Sequence, residues 1–355
     1  MSANQFSERI AQQLKAQRPF VLYSDFNQTQ FKALFQNSSK AYQTSEFDKN
    51  GFVFAPFDLS QPTYIIPDDI SEHATYKLPK VKDSFFSSQI QTTNAKAHKK
   101  LIKKAIQNIF ETNLKKVVLA RSCEIEFSIL DPIGLFYSIA NAYTEAYTYC
   151  WFHPSTGFWF GASPESLVKI SGNKVQLVAL AGTQRFKGKL EVNWDSKNKK
   201  EQSMVTDYLK SSLSKHLSGL SLSQPKTIRS ANLLHLQTTL TGHLNKGKHR
   251  LRNLLWALHP TPAVCGTPKE IAMAFIKDNE MLDRQFYSGF LGTIKQNSSG
   301  ALESANLVVN LRCMQLIGKK SLLYAGGGIT NQSTAEMEWE ETEAKIQTLK
   351  SIFLV

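Results

Sequence analysis

The chain has 355 residues, 42% of them apolar and 20% charged, which suits a globular protein of one large domain or two with a sizeable core. No run of 18 apolar residues occurs, and the opening MSANQFSERIAQQLKAQ lacks the apolar stretch and small-residue cleavage site of a secretory signal, so a cytoplasmic protein without membrane spans is expected. A net charge of +13 invites a nucleic-acid reading, but the lysines are scattered and no stripe interleaves them with aromatics, so no nucleic-acid partner is expected and the positive field is left to attract an anionic substrate.

In chain order, residues 1–18 read as a helix, and VLYSDF, GFVFAPF and TYIIP as short strands. The polar stretch 70–94 has no clear periodicity and reads as a loop or linker. NAKAHKKLIKKAIQNIF follows as an amphipathic helix, with Lys96, Lys99, Lys100, Lys103 and Lys104 on a solvated face and Ile102, Ala105, Ile106 and Ile109 opposite. KKVVLARSCEIEF reads as a strand and DPIGLFYSIANAY as a helix with Asp131 at the N-cap and Pro132 at N1. AYTYCWFH, GFWFGAS and LVKISGNKVQLVAL continue a sheet, the last turning at Ser171, Gly172 and Asn173. Strand-rich stretches alternate with helices, so the class is mixed α and β. Cys123, Cys150, Cys265 and Cys313 form no C-x-x-C pair and are expected as reduced thiols.

The C-terminal segment SLLYAGGGITNQSTAEMEWEETEAK, residues 321–345, carries the strongest chemical signal. A strand runs into Gly326, Gly327 and Gly328, which lack the Cβ atoms that would stop a ligand reaching the backbone, and N–H groups free to hold a carboxylate or phosphate are expected there. On the helix that follows, Glu341 lies roughly −60° and Lys345 roughly −20° around from Glu338, so all three project from one face. The segment therefore pairs an anion cradle with a cation site, although a glycine turn followed by an ordinary charged helix has the same pattern.

Other blocks decide the matter. KVVLAR (116–121), GASPESL (161–167), LAGT (180–183), KKEQSMV (199–205), HPTPAVCGTP (259–268), RQFYSGFLG (284–292) and NLRC (310–313) precede the C-terminal segment in order. With this set the chain resembles the chorismate-utilising enzymes, and among them most closely the isochorismate synthases, over residues 95–350. The resemblance implies an α+β fold of two stacked antiparallel β-sheets with helices outside, built from two related halves. Residues 1–94 are then a variable N-terminal part of the same fold and 95–355 the chorismate-binding catalytic region.

It also implies roles. Adding water at one ring carbon while expelling a hydroxyl from another needs a base and an acid in opposite protonation states. In the isochorismate synthases these are the lysine opening the KVVL strand, Lys116 here, and the glutamate of the GASPE block, Glu165. Glu201 and Glu341 match the family's Mg²⁺ ligands, with Glu338 orienting them or binding through water. Arg312 matches the arginine that grips the pyruvyl carboxylate in a planar fork. Gly182, Thr183, Ala263, Tyr287, Tyr324, Gly327, Gly328 and Lys345 fall where the family lines its pocket, while Tyr287 and Tyr324 have core packing as an equal alternative. Histidines, His235 and His259 included, read as structural or as hydrogen-bonding support.

Within the family, anthranilate synthases usually have glutamine in place of Lys116, and aminodeoxychorismate synthases carry a lysine where Ala181 stands. Water is thus the expected nucleophile, and no glutaminase subunit is required. The expected reaction is Mg²⁺-dependent conversion of chorismate to isochorismate by a monomer, feeding menaquinone biosynthesis, with a siderophore pathway and a salicylate synthase that also eliminates pyruvate as alternatives. A catalytically inactive relative serving as a binding module is the non-enzymatic alternative.

Overall fold

The computed structural model describes residues 3–80, 88–91, 95–127, 131–186, 188–230 and 233–350. The N-terminal part supplies α1 (Ala3–Lys15), β1 (Phe20–Ser24), β2 (Gln30–Gln36), β3 (Gly51–Ala55), β4 (Tyr64–Pro67), β5 (Ser71–Lys77) and β6 (Ser88–Gln91). Next come α2 (Ala95–Glu111), β7 (Lys116–Phe127), α3 (Pro132–Ala142), β8 (Tyr147–His153), β9 (Gly157–Ser163), β10 (Ser166–Ser171) and β11 (Lys174–Arg185). They are followed by α4 (Ser196–Leu213), β12 (Leu217–Leu222), β13 (Lys226–Ser230), β14 (Leu233–Leu244), α5 (Arg250–Leu258), β15 (Gly266–Thr267) and α6 (Lys269–Asn279). The chain ends with β16 (Phe290–Gln296), β17 (Leu302–Val309), β18 (Cys313–Ile317), β19 (Lys320–Ile329) and α7 (Ala335–Lys350).

These strands make two sheets. The first runs β15-β7-β19-β18-β9-β8-β1-β2-β5, with β6 also on β7; the second runs β12-β14-β11-β10-β17-β16-β3-β4, with β13 also on β14. Neighbours pair antiparallel throughout. The N-terminal strands enter both sheets, β1 pairing with β8 and β3 with β16.

Period-two alternation explains why β8 can be buried along its whole length. Tyr147, Tyr149 and Trp151 face the second sheet, and Cys150 and Phe152 face the opposite side, in a cluster shared with Phe136 and Ile139 of α3. Between the sheets, Phe54 of β3 lies 5.1 Å from Trp151 and stacks at 4.3 Å on Phe286, closing an aromatic core. Outside, α4 and α5 cover the second sheet through Leu209, Leu213, Leu254 and Leu255. On the first sheet α2 buries His98, Ile102, Ala105 and Ile109 as its pattern requires, and α3 begins with the Asp131 side chain accepting the Ile133 N–H.

One expectation fails. The stretch 70–94 is not simply a linker: Ser71–Lys77 is β5, paired with β2 over seven residues, and Ser88–Gln91 is β6. As an edge strand β5 is held by backbone pairing and alternates between exposed and half-buried residues, so it needs no apolar stripe. The segments 81–87 and 92–94 of that reading lie outside the described residues. All four cysteines are buried and none forms a disulfide among the described residues, and no helix among those residues is long and apolar enough to cross a membrane.

Candidate active site

The three glycines sit in β19 itself, in register with β7: Gly326 opposite Ala120, Gly327 opposite Leu119 and Gly328 opposite Val118. They are a strand end, where the sequence suggested an anion-holding cradle. Their purpose is legible from what a Cβ would meet. At Gly327 it would fall 3.1 Å from Glu338 Oε2 on α7, and at Gly328 it would fall 2.8 Å from Lys116 Cε on the other face. The glycines thin the sheet between Lys116 and α7.

Lys116 opens β7 and is half-buried. Glu165 stands in the short link between β9 and β10, where the chain passes from the first sheet to the second, and its carbonyl accepts the Val309 N–H. Partly accessible but walled in, the Glu165 carboxyl is pushed up to about 7 by burial, while the nearby Lys116 ammonium pulls it down. A carboxyl tuned to neutrality beside a lysine can supply acid and base from one cleft. A small cavity of about 40 Å³ joins Glu165 to Ala263, with Thr261, Leu177 and Leu258 among its walls.

On α7 the charges meet as their spacing requires. Lys345 Nζ donates to Glu341 Oε1 at 2.7 Å and to the Gly326 carbonyl at 2.8 Å. Glu338 Oε1 accepts from Ser333 Oγ at 2.6 Å, and its Oε2 is buried with no hydrogen-bond partner among the described residues. Burial raises the Glu338 carboxyl, as does Glu341, against the lowering effects of Ser333, Lys345 and Lys116. An orphaned carboxylate oxygen one turn from a second carboxylate is a donor set that fits a hard divalent cation. Glu201 lies on α4, which packs on the second sheet, whereas α7 packs on the first. The side chains of Glu201 and Thr183 lie outside the described residues.

Arg312 follows the turn after β17 with φ 46°, and its carbonyl accepts the Ala162 N–H, which brings it beside the strand leading to Glu165. Its side chain is accessible and joins no ion pair among the described residues. Gly182, with φ 72°, leaves 3.1 Å between a would-be Cβ and Asn198 Oδ1, and its carbonyl accepts from His235 Nδ1 at 3.0 Å. The two tyrosines divide. Tyr287 and Tyr324 stack at 5.3 Å and Tyr324 stacks again on Trp159 at 5.4 Å, so both are core residues. The Tyr287 hydroxyl nonetheless reaches Gly326, lying 2.9 Å from its would-be Cβ, whereas the Tyr324 hydroxyl donates to Gln315. Sequence reading missed Ser333 as the partner of Glu338; its place in the polar NQST run before a helix was the available signal.

Gly328 carries a prediction. In Gly328→Ala the added methyl meets the flexible end of Lys116, so the lysine shifts and the sheet stays in place. A loss of about tenfold or more in turnover with an unchanged melting temperature is expected, since small misplacements of reacting groups are costly. Steady-state kinetics and a melting curve check it.

Two sheets meeting at a lysine, a neutral-range glutamic acid and a helix of carboxylates define an enzyme cleft for an anionic substrate. The family described as "Chorismate binding enzyme" matches residues 65–354, and the chain belongs to it. The chain is 28% identical to the vibriobactin-specific isochorismate synthase of Vibrio cholerae over 84% of its own length and 78% of that protein's. It is 29% identical to the isochorismate synthase DhbC of Bacillus subtilis, over 71% of this chain and 66% of that one. The structure of MenF, the menaquinone-specific isochorismate synthase from Escherichia coli, superposes with a TM-score of 0.79 at 21% identity, covering 94% of this chain and 88% of that one.

Proposed function

We propose that the protein is an isochorismate synthase that converts chorismate to isochorismate with Mg²⁺. The observation that carries this reading is the pairing of Lys116 with a Glu165 carboxyl held near 7, in a chain whose relatives include isochorismate synthases. Lys116, as its neutral amine, takes a proton from water as it adds at C2, and Glu165, as its neutral acid, gives a proton to the hydroxyl leaving C4. Arg312 offers a two-pronged hydrogen-bond donor to the pyruvyl carboxylate. Glu341, Glu338 and Glu201 would hold Mg²⁺, which when bound neutralises the ring carboxylate. Lys345, fixed between Glu341 and Gly326, stands beside them.

Water needs no partner to deliver it, so the purified chain alone is expected to act. Chorismate incubated with the protein and Mg²⁺ should give isochorismate by chromatography, and excess EDTA should abolish the conversion. Undiminished activity in EDTA would remove the metal from the reading. Salicylate with pyruvate, or anthranilate from ammonium salts, would overturn the choice of reaction.

A further inference from the structure

Arg121 lies on β7 five residues beyond Lys116, is 4% exposed, and has no role in the reaction above. Strand alternation puts it on the opposite face from Lys116, the face covered by α7. Its Nε donates to Thr342 Oγ1 at 2.8 Å, its Nη2 donates to Glu343 Oε1 at 2.6 Å, and its guanidinium lies 4.0 Å from the centroid of the Trp339 ring. One buried cation thus holds three residues of the helix that carries Glu338, Glu341 and Lys345. Those three partners lie roughly 40° to 140° around the helix from Glu338, on the neighbouring face.

We propose that Arg121 is a positioning residue for the reaction, fixing the rotation of α7 and so the direction in which its carboxylates and lysine point. The inference rests on the reading of α7 as a metal-binding helix. Two other contacts define the same rotation. Lys345 ties the helix to the Gly326 carbonyl on one flank, and Gly327 lets it approach until Thr342 Cγ2 and Glu338 Oε2 would be 3.5 and 3.1 Å from a Cβ. Arg121 supplies the opposing flank. Without it α7 keeps its apolar contacts through Ala335 and Ile346 and the Trp339 ring beside His98, but among the described residues no hydrogen bond on that flank sets its rotation. The fork is suited to this work because its donors are rigidly spaced and its flat face stacks on an indole, which a lysine cannot reproduce.

The test compares wild type with Arg121→Met, Arg121→Lys and the milder Thr342→Val, which removes one acceptor and leaves the buried cation paired with Glu343. Amide hydrogen exchange of residues 335–346 is measured without metal, Mg²⁺ binding by calorimetry, and melting temperature on the same preparations. Arg121→Met should speed exchange in α7 selectively and weaken Mg²⁺ binding by about tenfold, the lower end for loss of a group that orients metal ligands. Raised Mg²⁺ should restore much of its chorismate turnover. Arg121→Lys and Thr342→Val should fall between it and wild type, and Thr342→Val decides if Arg121→Met does not fold. Unchanged α7 exchange and an unchanged Mg²⁺ titration, with or without a lower melting temperature, would overturn the proposal. If wild type binds no Mg²⁺, the metal reading fails separately, and selective loosening of α7 alone then decides the role of Arg121.

Discussion

Lys116→Ala and Glu165→Gln are each expected to lower kcat by about 10²-fold or more while leaving the fold intact, the usual scale for a positioned base or acid. Lys116 stands at the start of β7, where its stem rests over Gly328. Glu165 lies in a link between strands. A double variant should lose little more than either single one, because neither proton transfer proceeds usefully without the other.

The pH profile tests the acid role independently. The Glu165 carboxyl, pushed up to about 7, must be protonated to donate, so turnover should fall as pH rises through about 7. The same shift has a stability consequence of definite sign. Relative to an unfolded-state value near 4.5, the folded protein holds this proton more tightly. The resulting stabilisation is present below about 4.5 and is lost as pH rises to about 7. Glu165→Gln should therefore melt higher than wild type at pH 8, where the wild-type carboxylate is charged against its surroundings. A variant with near wild-type turnover and no such shift in melting would make Glu165 an ordinary link residue.

Legibility in the sequence followed the physics of each segment. Wherever an apolar, aromatic-rich run was continuous, as in β8, or a cap was explicit, as at Asp131, the element could be read directly. β5 escaped because an edge strand stabilised by its ladder with β2 has no apolar stripe to display. Lys116, Glu165 and the α7 charges stand out as candidates through ordered motifs, and helical spacing alone placed Glu341 and Lys345 in contact. The glycines were singled out for the right reason, missing Cβ atoms, but pattern could not show that the crowding atoms belong to Glu338 and Lys116 and not to a ligand. Arg121 lies inside KVVLAR with no role legible from the sequence, since its partners lie more than 200 residues away and no local pattern encodes that contact. Tyr287 and Tyr324 could not be divided for a similar reason: both are buried aromatics, one in the turn before β16 and one on β19, and the placement of their hydroxyls separates them.

Arg312→Lys should cost binding more than chemistry. The substitution keeps the charge and loses the fork, so on the proposed role of Arg312 one of two parallel hydrogen bonds to the pyruvyl carboxylate should disappear, worth about 1.5 to 3 kcal/mol for a charged bond. At about 1.4 kcal/mol per decade, kcat/KM should fall roughly 10- to 150-fold. That carboxylate is remote from the carbons that exchange oxygen, so most of the loss should appear in KM. The alternative is a structural arginine, and the geometry bears on it in two ways. Arg312 joins no ion pair among the described residues, so the variant abandons no structural acid among them. Its φ of 46° is strained for any residue with a Cβ, and lysine inherits that strain unchanged, so the backbone contribution cancels between the two proteins. A melting temperature close to wild type is therefore expected alongside the raised KM. Kinetics and melting on one preparation decide it: an unchanged KM with a lowered melting temperature would show that Arg312 holds the turn after β17 and leaves the substrate to other groups.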